Sequence, residues 1–330
     1  MNVLKNKSIL FIAPSFHGLQ NNILSEMIAM GAEVDYYDER PENTTTTKVL
    51  IRLKIKILIH HKIINYYNDV LNKTKHKKYN YVFILNMEAM PSIILEALRK
   101  QQNFAKFILF MWDSLELKNI SSDILNVFDK AYTFDTYDAQ TNNKMNFLPL
   151  FYSNEYAQIK KDKIQYDLCF IGTIHGDRYK LLQKIKKEAN KLGLSTYYYM
   201  YIPSKIIFYV KKLFDKNFRK ININEVRFVP MNMKNIVKVM AKSNTIIDLS
   251  YKGQQGLSMR TYEVIGAKKK LVTTHKQVIN YDIYNSNNMY ILDKNHISLK
   301  KDFFSNDYCE LDKKIYEKYS LRKWVNNIFM

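Results

Sequence analysis

The sequence predicts an α/β protein made of two doubly wound, parallel-sheet halves. Three observations carry that prediction. Short apolar runs alternate with helix-like segments along most of the chain, the alternation breaks once near the middle, and 330 residues exceed the ~250–300 at which a single core stops growing.

In the first half, residues 8–13 form an apolar run that reads as a strand. A loop follows at 14–20, opened by Pro14, and then a helix ending near Gly31. Residues 33–37, 81–85, 107–111 and 131–134 are further strand candidates with helical segments between them. A second set runs through 166–171, 195–200, 226–229, 245–249, 270–274 and 289–292. Between the sets, at 148–165, Pro149, Asn154 and the charged run 160–163 break periodicity. The expected organisation is therefore a Rossmann-like N-terminal domain at 1–150, a linker at 151–165, and a Rossmann-like second domain at 166–310. A C-terminal helix at 311–330 completes it, for which packing back on the N-terminal domain is one placement.

Hydrophobic content of 47% and aromatic content of 14% suffice for two cores, which excludes a disordered chain. The two cysteines, Cys169 and Cys309, lie far apart and form neither a disulfide framework nor a metal-ligand spacing, as expected of a reducing cytoplasm. The apolar run at 9–13 is too short for the core of a secretory signal. No uncharged apolar stretch reaches the ~18 residues of a spanning helix, so a soluble or peripheral protein is expected.

Lysine and arginine number 51 against 31 acids, a formal charge of +20 that speaks for a polyanionic partner: nucleic acid, an anionic membrane or an acidic glycolipid. Two segments concentrate it. Residues 48–73 place Lys48, Arg52, Lys56 and His60 at four-residue spacing, and residues 203–220 mix Ile206, Phe208, Leu213 and Phe214 with Lys205, Lys211, Lys212, Lys216, Arg219 and Lys220. Basic helices with an apolar side can lie in a bilayer interface, although a core helix with a solvated basic face gives the same pattern.

The segment with most to say about chemistry is Gln254, Gln255, Gly256, Leu257, Ser258, Met259, Arg260, Thr261, Tyr262 and Glu263, running on to Gly266 between two strand candidates. Its glycine falls where a tight loop hands over to a helix, whose N-terminus offers unpaired N–H groups to an anion such as phosphate. This segment resembles the donor-binding segment of GT-B glycosyltransferases, in which two glutamates separated by seven residues flank a Gly-rich turn. The second glutamate is present as Glu263, while the position eight residues earlier is Gln255, which can hydrogen-bond a sugar but can be neither base nor nucleophile. The resemblance implies two Rossmann-like domains facing across a cleft. It also implies Glu263 on the donor ribose, with Gln255, Gly256 and Arg260 in the same donor-binding segment.

After the run 166–171 come Gly172, Thr173, Ile174, His175, Gly176, Asp177 and Arg178. In the same family this loop meets the donor diphosphate, which implies donor contacts for Gly172, His175 and Arg178, the last with its bidentate fork; a plain helix start with solvated charges is the other reading. The runs 166–179, 249–274 and 279–285, with 110–114, 133–138 and 148–152 in the first half, are similar to bacterial polysaccharide and lipopolysaccharide biosynthesis glycosyltransferases of the CgeB-like group. Within that group the style is nearest to lipopolysaccharide core enzymes, core rhamnosyltransferases among them.

The resemblance assigns the catalytic base to the N-terminal domain. His17, Asp113 and Asp135 each follow an apolar strand, and the choice among them stays open; capping of a helix is the other role for the two aspartates. His275, after the run 270–274, is a further candidate for contact with nucleotide or sugar. No Walker lysine, nucleophile elbow or metal-ligand cluster occurs, so no cofactor and no metal are expected, only a nucleotide-diphosphate sugar as donor substrate. The implied partners are that donor, a lipid-linked saccharide or lipopolysaccharide acceptor and the anionic inner-membrane surface, from a peripheral position on its cytoplasmic face. Nucleic acid is not expected, since no recognised binding module accompanies the charge. Two other classes stay open: a catalytically silent saccharide-binding or assembly protein on the same fold, and a basic nucleic-acid-binding protein.

Overall fold

The computed structural model describes residues 3–16, 18–44, 47, 50–51, 56–118, 120–160, 162–250 and 255–330, with the side chains of Lys56 and Leu117 outside the description. The chain divides into two compact units. The first comprises Met1–Leu150, Gln254–Gly256 and Leu321–Met330, the second Phe151–Gly253 and Leu257–Ser320.

The first unit holds β1 (Ser8–Ala13), β2 (Glu33–Asp38), β3 (Tyr81–Leu85), β4 (Lys106–Met111), β5 (Lys130–Thr133) and β6 (Met145–Phe147), paired in the order β2-β1-β3-β4-β5-β6. All five pairings are parallel. Parallel strands need crossovers, and the helices between them cover both faces, which is why the central strands β1, β3 and β4 are apolar almost throughout, while the edge strand β2 carries Glu33, Asp35 and Asp38. Leu10, Ile12, Val82, Ile84, Phe107 and Leu109 pack with Ile63 and Tyr67 of the helix His60–Thr74 and with Leu95 and Leu98 of the helix Ser92–Gln101. On the helix Leu321–Phe329 the buried residues Leu321, Trp324, Val325, Ile328 and Phe329 recur at helical spacing. Trp324 stands edge-on to Phe110 at 4.8 Å between ring centroids, and Phe329 meets Phe83 at 5.5 Å.

The second unit holds β7 (Tyr166–Thr173), β8 (Thr196–Tyr201), β9 (Val226–Arg227), β10 (Ser243–Asp248), β11 (Lys270–Thr273) and β12 (Met289–Ile291), ordered β12-β11-β10-β7-β8-β9 and again entirely parallel. Its core joins Leu168, Phe170, Met200, Ile247 and Val272 of the sheet to Leu182 and Ile185 of the helix Arg178–Lys191 and to Phe208 of the helix Lys205–Phe214. Among the described residues no helix is long and apolar enough to cross a membrane.

Four elements differ from the expectation. The strand expected at 226–229 stops at Arg227, and Val229 stands exposed. The edge strand β6 was not foreseen, because only Met145 of its three residues is buried and three residues carry no readable period. The helix expected within 203–220 runs over Lys205–Phe214 only, with Ser204 Oγ accepting from the Ile207 N–H at 3.1 Å as its cap. Of the helix expected at 48–73, the described part is a 3₁₀ turn at Lys56–Ile59 and the helix His60–Thr74; Lys48 and Arg52 lie outside the described residues.

Gly266 closes the helix Met259–Gly266 where the buried Tyr152 lies across it: a Cβ there would stand 2.6 Å from the Tyr152 Cβ and Cγ. In an exposed helix, Gly→Ala gains ~1 kcal/mol. Here overpacking dominates, and Gly266→Ala is expected to lower stability by ~1–3 kcal/mol in urea unfolding. A midpoint equal to or above wild type would contradict this close approach.

Candidate functional site

Doubly wound sheets bind ligands outside the carboxyl ends of their strands, at the point where the strand order reverses. In the second unit that point lies between β7 and β10, and the residues of interest follow those two strands. After β7, Gly176 adopts φ +56°, a left-handed turn that suits glycine, and the chain enters the helix Arg178–Lys191. The Arg178 guanidinium turns back onto the sheet. Its Nη1 donates to the Thr173 carbonyl at 3.1 Å and its Nη2 to the Leu249 carbonyl at 2.6 Å, so it ties the loops after β7 and β10 together. Gly172 has the Phe170 ring 3.1 Å from where a Cβ would stand. His175 is half-buried, and burial, helped by the charges of Arg178 and Lys211, lowers its pKa to about 4. It is therefore neutral at pH 7 and offers a hydrogen bond rather than a charge.

After β10, Asp248 accepts hydrogen bonds from Ser258 Oγ at 2.6 Å and Thr261 Oγ1 at 2.8 Å, pinning the first turn of the helix Met259–Gly266 to the strand end. One turn on, Arg260 Nη1 pairs with Glu263 Oε2 at 2.6 Å, while its Nη2 donates to the Ile171 carbonyl at 3.3 Å. The phenol of the buried Tyr156 shares hydrogen bonds with both, and burial, then the Glu263 charge, raise its pKa. Arg260 is thus an internal strut. Glu263 remains 15% exposed, and a carboxylate has about four lone-pair sites, so its two internal contacts fix its orientation without exhausting its acceptors.

Gln255 and Gly256 cluster with the first unit. Their N–H groups donate to Asp135 Oδ2 at 3.2 and 3.5 Å, and a Cβ on Gly256 would meet the Phe134 carbonyl oxygen at 2.2 Å. Glycine is required there by close backbone approach. Asp135 also caps the helix Thr136–Thr141, with Oδ1 accepting from the Tyr137 and Asp138 N–H groups, so this buried carboxylate is engaged by backbone amides on both oxygens.

The first sheet reverses between β1 and β3, and there the structure assembles groups that the sequence alone did not single out. Glu39 is fully buried, with Oε1 accepting from the N–H groups of Glu88 (2.6 Å), Ala89 and Met90 (3.0 Å). Glu88 is itself buried between Arg40 Nη2 at 2.6 Å and Lys118 Nζ at 2.9 Å. Burial alone would raise its pKa, but Lys118 and Arg40 outweigh that and hold it below the usual range. Lys118 also reaches Asp113 Oδ2 at 3.0 Å, and Asn86 Nδ2 donates to the same oxygen at 3.1 Å from a backbone at φ +52°. Glu88 and Lys118 line a cavity of about 440 Å³ with Met87, Met90 and Ile120. Asp113 is thus part of a charged network, whereas His17 lies outside the described residues. His275 is buried after β11, its N–H donating to Thr273 Oγ1 at 3.0 Å. No group of three His, Cys, Asp or Glu placed to hold a metal ion occurs among the described residues.

No protein-family model matches the chain, and no curated protein matches it. Solved structures do. The chain is similar to the lipopolysaccharide outer core galactosyltransferase WaaB in its apo form, at 12% identity and a TM-score of 0.52 over 97% of each chain. It is similar to a glycosyltransferase from Rickettsia africae ESF-5, at 14% identity and 0.55 over 98% of this chain and 94% of that one. A third is Anabaena Alr3699/HepE in complex with UDP-glucose, at 10% identity and 0.52 over 98% and 94%. At such identities the likeness is one of fold, and the fold is GT-B: two Rossmann-like domains, each on a six-stranded parallel sheet.

Proposed function

We propose that the chain is a glycosyltransferase that moves a sugar from a nucleotide-diphosphate sugar to a lipid-linked saccharide. The observation that carries this reading is the Glu263 carboxylate, held by Arg260 and Tyr156 one turn into the helix after β10, at the switch point of a GT-B second domain. An oriented, partly open carboxylate suits the paired hydroxyls of a ribose. The donor diphosphate is assigned to the loop Gly172–Arg178, where the neutral His175 and the start of the helix Arg178–Lys191 present hydrogen-bond donors. Arg178 acts there by holding the loops after β7 and β10 in place.

In transfer, a base removes the acceptor hydroxyl proton, the oxygen bonds to the anomeric carbon, and the bond to the departing diphosphate breaks. We assign the base to Asp113, oriented by Lys118 and Asn86, and no metal to the reaction. The lipopolysaccharide core or a related CgeB-type polysaccharide at the cytoplasmic face of the inner membrane is the proposed acceptor context, supported by the quoted sequence runs and the basic charge. Gln255, in place of a first glutamate, favours one other reading, a saccharide-binding protein without turnover.

Calorimetry with UDP, GDP and TDP and their sugars tests the class. The intact chain is expected to bind one of them, and Glu263→Gln to weaken that binding about tenfold or more, since hydrogen bonds to a charged group contribute ~1.5–3 kcal/mol. Thermal melts confirm that the variant is folded. Equal affinity for the two proteins would remove Glu263 from the site. Binding without transfer to any saccharide acceptor would favour the silent reading.

A further inference from the structure

The helix Lys205–Phe214 is built inside out. Its buried residue is Phe208, which anchors it to the core of the second unit. Ile206, Tyr209, Val210, Leu213 and Phe214 recur at i, i+3, i+4, i+7 and i+8, the spacing of one continuous helix face. That face is turned to solvent: Ile206 is 76% exposed, Leu213 69% and Phe214 84%, with Tyr209 and Val210 also exposed. Contiguous exposed apolar surface of this kind marks an interaction site.

Charge identifies the partner. Residues 205–220 carry Lys205, Lys211, Lys212, Lys216, Arg219 and Lys220 against the single acid Asp215. The Lys212 and Lys211 ammonium groups lie over the Phe208 and Phe218 rings at 5.2 and 4.7 Å, along the flanks of the helix rather than on its apolar stripe. Arg219 folds back to donate to the Leu213 carbonyl at 3.3 Å, and Lys216 and Lys220 stand exposed beyond the helix end. An apolar stripe bordered by cations suits the headgroup boundary of an anionic bilayer, with the side chains of Leu213 and Phe214 among the acyl chains and the ammonium groups at the phosphates. A protein partner without an acidic rim would suit the stripe but leave the surrounding cations without a role.

We infer that this helix is the element by which the second unit docks on an anionic membrane. The inference deepens the membrane part of the proposed function, and it is tested without nucleotide, so that either can fail alone. Flotation with vesicles of equal parts phosphatidylcholine and phosphatidylglycerol is expected to carry the protein, and rising salt to release it. Leu213→Glu with Phe214→Glu should weaken partitioning at least about a hundredfold, because both side chains lose their apolar burial and meet anionic lipid. Both residues are exposed, so the thermal melt should hold. Should it fall, Leu213→Ser with Phe214→Ser serves instead, with the same expected loss. Equal binding to pure phosphatidylcholine vesicles, or undiminished binding by a folded variant, overturns the inference. So does a dimer in light scattering that the variant abolishes, since a second copy would then occupy the stripe.

Discussion

Arg260→Met is expected to destabilise the second unit by about 2–3 kcal/mol, because it removes one partner of a largely but not fully buried ion pair and leaves the other uncompensated. The orphan would be Glu263, now 2.6 Å from the guanidinium; the Ile171 carbonyl and the Tyr156 phenol lose a contact as well. Burial opposes the charged form of Arg260, and the neighbouring Glu263, first among several groups, more than offsets it, so the guanidinium stays protonated. Combining Arg260→Met with Glu263→Gln takes away the stranded charge. Much of the lost stability should then return, while nucleotide binding stays weak. Urea unfolding followed by circular dichroism reads the first effect and calorimetry the second. If Arg260→Met unfolds within ~1 kcal/mol of wild type, the guanidinium is not the strut described, and a direct role toward a ligand becomes the better assignment.

Glu39 sets a second expectation, in pH. Burial raises its pKa from 4.5 to about 7, against three backbone N–H bonds that pull it down, and its Oε2 is buried with no hydrogen-bond partner. Between those two values the folded chain keeps a proton that the unfolded chain has released. The folded state therefore binds more protons, and stability from this group falls as pH rises from about 4.5 to about 7, with no further loss above. The accumulated loss is on the order of 3 kcal/mol. Glu39→Gln cannot titrate, so its stability relative to wild type should improve by that order between about pH 5 and about pH 8, whatever its fixed cost from altered bonding. Parallel pH profiles for the two proteins would show that Glu39 is already ionised in the folded state.

The central strands were legible because a parallel sheet covered on both faces makes them apolar almost throughout. Residues such as Leu10, Phe11 and Ile12, or Ile246 and Ile247, need no partner to be recognised. β6 escaped because an edge strand of three residues with one buried side chain has no pattern to read. At the site, the i,i+3 spacing of Arg260 and Glu263 was visible, but spacing does not say whether an arginine faces a ligand or a neighbour. Its contact with the Ile171 carbonyl, contributed from β7, turns it toward a neighbour and could not be read locally. The Glu39, Arg40, Glu88, Lys118 and Asp113 network was illegible for a related reason. Its members follow β2, β3 and β4, tens of residues apart, and only the strand order brings them to one place. Asn86 left a trace only in its left-handed backbone, which a sequence does not display.

The helix Leu321–Phe329 also has a bearing on the order in which the chain matures during synthesis. The first unit completes its aromatic face only with Trp324 and Phe329, yet these residues are made after the whole of the second unit. At ~5–20 residues per second, on the order of ten seconds separates the last strand of the first sheet from its closing helix. Throughout that interval Phe83 and Phe110 lack their Trp324 and Phe329 neighbours, while the second unit, nearly all of whose residues are contiguous, can close at once. The nascent chain thus passes through a stage in which the second half can be complete while the first still lacks its closing helix. Trp324, seated against Phe110, is placed to report by its fluorescence the moment at which the first half is sealed.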